Sequence, residues 1–493
     1  MQGGPETQPK RGIGLRKAFL FTALLSFFGL ALLDWVASYL TSPNPSISTR
    51  PSEHYFEFDP IQMWRLSPGF RDETIRISPQ GFRSDEIVDV GTERKLAFLV
   101  GGSTVFGLGL RNDETLSHFL QQYADAAVGN GVYQVVNAGV TGYFSTQELI
   151  LIERKLLAYR PALVISLTGR NDVFYSLHPA YRVDEVPYHG LIRNQVGALD
   201  PYYTEKEEGE PRLHLMRLLS RLLAGVAPGW DQEWEERDLV SDESSYDNFI
   251  QRQLAIHVLL SGSGTRHHLF LQPTLTFPER LLATGEPSSA EIPYLDPLND
   301  GYRRLVEASE RELAGDWFHG MLRLPDEEGA LFLDDCHFTA LGSRLAAFNL
   351  GRTVFGEADV ARIDFESDRH SVFLGGGWHD LESGFRWTGP RARAFLRAPR
   401  ALSRGARFRL KGYAGAMSAH LVVSLDGRRV IEVELEANQP IDLDADVPEE
   451  VLDGWITVEL ETAGWTPREL GLNDDARLLG IQVSSLTLEE PAS

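Results

Sequence analysis

Between residues 95 and 355 short apolar runs alternate with amphipathic helical patterns, and no other feature restricts the fold as strongly. The segments "LAFLV", "YQVV", "ALVISL" and "HLFLQ" are mostly apolar and of strand length. Between them, "DETLSHFLQQYADAA" and "STQELILIERKLLAY" repeat apolar residues at helical spacing. Such an alternation buries its apolar surface as a mostly parallel sheet with helices on both faces. From about residue 360 the helical pattern stops. "SVFLGG", "FRWTG", "ARAFLRA", "RFRLKGYA", "HLVVSLDGRRVIEVELEA", "WITVELETA" and "LLGIQVSSLTLEE" read as strands divided by Gly, Pro and Asp, and the Asp-Gly of "LDGRRV" signals a hairpin. Residues 360–493 are therefore expected to form an all-β sandwich.

At the start of the chain, Lys10, Arg11, Arg16 and Lys17 precede an uncharged apolar run from Ala18 to Leu33. With Trp35 and Tyr39 beyond that run, residues 18–40 read as a single-pass transmembrane helix behind a basic tail at 1–17. The positive-inside rule leaves the tail cytoplasmic and the body extracytoplasmic, either periplasmic or extracellular. A cleaved signal peptide, with "VAS" at 36–38 as its cleavage site, gives the body the same location. The Pro- and Ser-rich residues 41–54 are expected to be a linker, and 55–355 an α/β domain that begins with an irregular, aromatic lead-in. Residues 176–250 break the rhythm with acidic residues, Trp230 and Trp234, and read as an insertion. A formal net charge of −23 argues against nucleic acid as a partner, because phosphate backbones are bound by clustered Lys and Arg. The single cysteine, Cys336, excludes an internal disulfide and a Cys-rich metal framework.

Four stretches carry residues with chemistry: Gly101-Gly102-Ser103; "NAGVTGYFSTQE" with Gly139 and Gly142; "SLTGRNDV" with Gly169, Asn171 and Asp172; and "FLDDCHFTALG" with Asp334 and His337. Each follows an expected strand, so in a parallel sheet all four lie at its carboxyl edge, where ligands bind. Alone, each is an ordinary structural element: a glycine turn, a helix cap or a packed histidine. Together they supply what a serine nucleophile needs, namely a base, a carboxylate to orient the base, and donors for an oxyanion. Asp334 and His337 stand three residues apart, which lets the carboxylate accept from imidazole Nδ1–H and leaves Nε2 for Ser103. The N–H groups of Ser103 and Gly142 and the Asn171 amide are the candidate donors. Gly139 competes with Gly142, and Asp335 with Asp334. Cys336 reads as a small packing residue.

These four stretches resemble blocks I, II, III and V of the SGNH hydrolase superfamily, also called GDSL esterases. The resemblance covers about residues 95–355 and implies a flavodoxin-like three-layer sandwich with a parallel sheet. It implies Ser103 as nucleophile and oxyanion donor, Gly142 and Asn171 as further donors, His337 as base and Asp334 as its orienting acid. Block I reads Gly-Gly-Ser here, where the family often has Gly-Asp-Ser. No cofactor and no metal are needed for this chemistry. The tail is similar, less specifically, to β-sandwich modules of bacterial proteins that build or modify extracellular polysaccharide; Trp378 and Trp387 are its candidates for stacking on sugar rings, against a default of core packing. The expectation is a membrane-anchored serine esterase that removes an acyl group, O-acetyl above all, from a carbohydrate or small ester. An O-acyltransferase using the same triad and a non-catalytic glycan-binding scaffold are the alternatives.

Overall fold

A computed structural model of the chain describes residues 55–87, 94–177, 181, 243–275, 295–325, 327, 330–398, 405–452 and 454–490. The segment read as a transmembrane helix, the linker after it and most of the 176–250 insertion lie outside the described residues. Among the described residues, no helix is long and apolar enough to cross a membrane.

Five parallel strands form the first sheet: β3 (Lys95–Gly101), β4 (Tyr133–Asn137), β5 (Leu163–Thr168), β6 (Arg266–Leu271) and β7 (Phe318–Met321). They run in the order β4-β3-β5-β6-β7. This is the doubly wound order in which the chain steps back once and then forward, placing a crevice at the carboxyl edge beside β3. Strands β4 and β5 are buried at every position, which explains their mostly apolar sequences. Helices α1 (Ser103–Phe106), α2 (Leu116–Val128), α3 (Ser145–Arg154), α4 (Arg170–Ser176), α5 (Ser244–Gly262), α6 (Leu295–Glu312) and α7 (Ala340–Phe355) connect or flank the strands. Two helices have side-chain caps: Thr115 Oγ1 accepts from His118 N at α2, and Thr339 Oγ1 from Gly342 N at α7.

The lead-in is more regular than its sequence suggests, because β1 (Phe56–Asp59) and β2 (Met63–Leu66) pair as an antiparallel hairpin. Beyond residue 360 the chain forms two antiparallel sheets. One has the order β15 (Pro440–Asp446), β12 (Arg407–Tyr413), β17 (Gln482–Glu489), β10 (Phe385–Thr388) and β9 (Trp378–Glu382), with β8 (Arg362–Asp364) also on β17. The other is β11 (Arg391–Arg397), β16 (Trp455–Thr462), β13 (Ala419–Leu425) and β14 (Arg428–Leu435). The Asp-Gly turn joins β13 to β14 with φ of 47° at Asp426 and 74° at Gly427, the paired positive values of a type I′ hairpin. "SVFLGG" is not a strand: Asp368–Phe373 coil into a 3₁₀ turn.

The sandwich and the parallel sheet share one hydrophobic core. Phe348 of α7 stacks on Phe395 of β11 with ring centroids 4.9 Å apart and meets Trp455 of β16 edge-on at 4.8 Å. Tyr123 of α2 packs against both Phe348 and Phe373. Polar stitches run across the same seam: Val372 N donates to Gln122 Oε1 at 3.0 Å, and Arg344 Nη2 to Gly375 O at 2.8 Å.

Candidate active site

Strand β3 ends at Gly101, and Ser103 opens the single turn of α1 at the carboxyl edge. Carbonyls at and just beyond the end of this turn are tied down by Arg83 from the lead-in. Its guanidinium donates to Phe106 O at 2.9 Å, to Gly107 O at 2.6 Å and to Leu110 O, and lies over the Phe106 ring at 4.5 Å. Burial pushes Arg83 down to about 10, so it stays charged at neutral pH. Asn137, at the end of β4, supports the same turn by donating from Nδ2 to Val105 O at 2.8 Å.

His337 Nε2 lies 2.7 Å from Ser103 Oγ, and His337 Nδ1 lies 2.6 Å from Asp334 Oδ2. The other Asp334 oxygen accepts the backbone N–H of Cys336 at 2.9 Å and of His337 at 2.8 Å. Burial works to raise the Asp334 carboxyl, but the bonds from the His337 ring and these two amides outweigh it and hold the group well below the usual carboxylate range. The turn itself is anchored to the sheet. Cys336 O accepts from Thr104 Oγ1 at 3.2 Å and Gln272 Nε2 at 3.3 Å, and Asp335 O accepts from Leu275 N at 2.9 Å. Asp335 carries its carboxylate to Arg170, not to the imidazole.

The donor candidates converge on the same edge. Asn171 Nδ2 donates to Tyr143 O at 2.8 Å, and a Cβ built on Gly102 would come within 2.6 Å of that nitrogen, so the amide lies directly against the residue before Ser103. An amide NH₂ has two N–H bonds, leaving one for a ligand. Gly142 has φ +79°, which an L side chain rarely adopts, and an added Cβ would meet Tyr175 Oη at 3.0 Å and Trp64 at 3.1 Å. Its N–H has no acceptor among the described residues. The competing Gly139 is packed onto the Val105–Phe106 backbone, and its N–H already donates to Asn137 Oδ1 at 3.0 Å.

Asp172, next to Asn171, faces away from Ser103 and accepts from Ser145 N at 3.3 Å at the start of α3, as well as from Ser145 Oγ. Burial raises it to about 7, and the neighbouring buried Glu148, which accepts from Thr168 Oγ1 at 2.6 Å, is raised to about 8 for the same reason. The ligand atoms of Asp334, Cys336 and His337 lie within 4.8 Å of one another, close enough to be tested as a metal site. Burial pushes the Cys336 thiol well up, and His337 Nδ1 is already engaged with Asp334. Trp387 is 9 % exposed and packed with Trp465 and Leu479, and Trp378 is half-buried against Phe365 with its Nε1 donating to Arg393 O. Sequence reasoning missed Arg83 and Trp64, whose bonds to distant carbonyls leave no local pattern.

No family model matches this chain, and neither does any curated protein. Solved structures similar to it include the acetyl xylan esterase AlAXEase, 14 % identical, covering 52 % of this chain and 99 % of that one with a TM-score of 0.29. The acetylxylan esterase Axe2 from Geobacillus stearothermophilus is 11 % identical and covers 53 % of this chain and 94 % of its own, with a TM-score of 0.28. A two-domain esterase active on acetylated mannans is 11 % identical and covers 81 % of this chain and 92 % of its own, with a TM-score of 0.25.

Proposed function

We propose that the chain is an SGNH-type serine esterase in which Ser103 is the nucleophile, His337 the general base and Asp334 the group that orients it. The observation that carries this reading is the unbroken chain from Ser103 Oγ through both ring nitrogens of His337 to Asp334. Ser103 Oγ attacks the ester carbonyl carbon while its proton passes to His337 Nε2. The oxyanion is met by the N–H groups of Ser103 and Gly142 and the free N–H of Asn171. Collapse breaks the bond to the alcohol oxygen, which takes the proton from His337, and water then releases the acid from Ser103 by the reverse sequence. An O-acetyl group on an extracytoplasmic carbohydrate is the substrate we infer from the family that the four blocks resemble. The basic tail and apolar run at the N-terminus are the support for that location.

The test is Ser103→Ala assayed on a small acetyl ester and on a panel of acetylated polysaccharides. Turnover of both is expected to fall by about 10⁴–10⁶ with the fold intact. Retention of more than about a tenth of the wild-type rate would overturn the assignment.

A further inference from the structure

We infer that Trp64, in the lead-in hairpin, is a positioning residue whose indole N–H fixes and polarises the Thr141–Gly142 peptide, the unit that presents the Gly142 N–H to an oxyanion. The inference rests on the proposed function and deepens it.

Trp64 Nε1 donates to Thr141 O at 2.8 Å. The peptide group is planar and trans, so the carbonyl of Thr141 and the N–H of Gly142 belong to one rigid unit and point in opposite directions. Holding the oxygen therefore aims the N–H. A hydrogen bond accepted at the carbonyl also draws electron density from the amide nitrogen and makes its N–H a stronger donor, the cooperative strengthening seen in chains of hydrogen bonds. With φ +79° and no side chain, Gly142 offers little local resistance to rotation of this peptide, so the restraint has to come from a neighbour.

The hairpin is built to deliver the indole there. Tyr143 Oη donates back to Trp64 O at 2.6 Å, and the two rings pack at 5.8 Å. Gln147 Nε2 donates to Gln62 O at 2.7 Å, so residues 62–64 are stitched to 141–147 from both sides of the glycine. Between Gln62 and Trp64, the buried Met63 holds φ +69°, a conformation that costs a non-glycine residue energy and persists only where its surroundings impose it. Gly142's own carbonyl is held separately, by Tyr175 Oη at 2.7 Å. That bond restrains the following peptide, whose Tyr143 N–H is already bonded to Val140 O. The donor peptide itself depends on Trp64.

Two pairs of variants separate aiming from packing. Trp64→Phe keeps an aromatic ring and removes the N–H. The prediction is a kcat lower by about three- to tenfold on a small acetyl ester, less than the loss of a whole oxyanion donor, with KM within about twofold. Binding of a trifluoromethyl ketone, whose adduct places an oxyanion in the same spot, should weaken in parallel with kcat. Trp64→Leu and Trp64→Gln lose the ring alike, but glutamine carries an amide N–H the same number of bonds from Cα as the indole N–H. Gln is expected to turn over faster than Leu at similar thermal stability, and this comparison decides the matter even if Trp64→Phe fails to fold. Equal kcat for Gln and Leu, or a folded Trp64→Phe with unchanged kcat, would overturn the role of Trp64 while leaving Ser103 as nucleophile. Full activity in Ser103→Ala would remove the proposed function, and the inference about Trp64 with it.

Discussion

Replacing Asp334 by Asn tests how the imidazole is oriented. Asp334 Oδ1 is pinned by the Cys336 and His337 backbone N–H groups, at 2.9 and 2.8 Å, so in the variant the amide oxygen takes that position and the NH₂ turns to His337 Nδ1. Nδ1 must then accept, its proton moves to Nε2, and the ring presents a donor to Ser103 where a base is needed. Turning the amide over to restore the working tautomer breaks two hydrogen bonds of about 1–1.5 kcal/mol each and leaves donors facing donors for about 1–3 kcal/mol more. The barrier therefore rises by about 3–6 kcal/mol, a fall in kcat of about 10²–10⁴. The assay is steady-state hydrolysis of a small acetyl ester with melting curves for each variant. Asp335→Asn is the control. It breaks a largely buried pair with Arg170 and is expected to show in stability more than in kcat. A folded Asp334→Asn within tenfold of wild type, or equal kcat losses at the two aspartates, would refute the tautomer argument.

Phe348→Ala should cost about 3–5 kcal/mol, because it empties the aromatic seam between sheet and sandwich; urea unfolding followed by two probes should still give one transition, and separate transitions for the two halves would contradict a shared core. His268 Nδ1 lies 2.8 Å from His319 Nε2, and burial lowers His268 to about 4, below its unfolded value of about 6.5. The neutral ring contributes stability above pH 6.5 that is lost as the pH falls toward 4, so the wild-type advantage over His268→Gln should shrink by about 1 kcal/mol between pH 7.5 and 5 after allowance for its partial exposure; a widening gap would show the sign to be wrong. Alkaline phosphatase fused after residue 50 should be active if Lys10 to Lys17 stay inside, and a silent fusion would reverse the topology.

The parallel sheet was legible because β3, β4 and β5 are buried along nearly their whole length and are therefore mostly apolar. Ser103 and Asn171 stand out because each lies just past a strand, where glycine and a polar residue interrupt an apolar run, whereas Asp334 and His337 lie in a loop ahead of α7 and are marked by their three-residue spacing. Strand β7 was not, since "FHGM" is a short edge strand that is buried only at Met321. "SVFLGG" shows the opposite error: a short apolar run fits a strand or a buried turn equally well, and here Phe373 serves the core from a 3₁₀ turn. The support given by Arg83 and Trp64 is carried by bonds to backbone carbonyls 23 to 77 residues away, and a carbonyl is the same at every position.

Ser103 and His337, the base proposed for it, are 234 residues apart in the chain. At a synthesis rate of about 5–20 residues per second, Ser103 is made roughly 10–50 s before His337. Through that interval the proposed nucleophile is an ordinary hydroxyl with no base beside it. On the proposed mechanism, reactivity has to wait for translation to deliver the turn that bears His337.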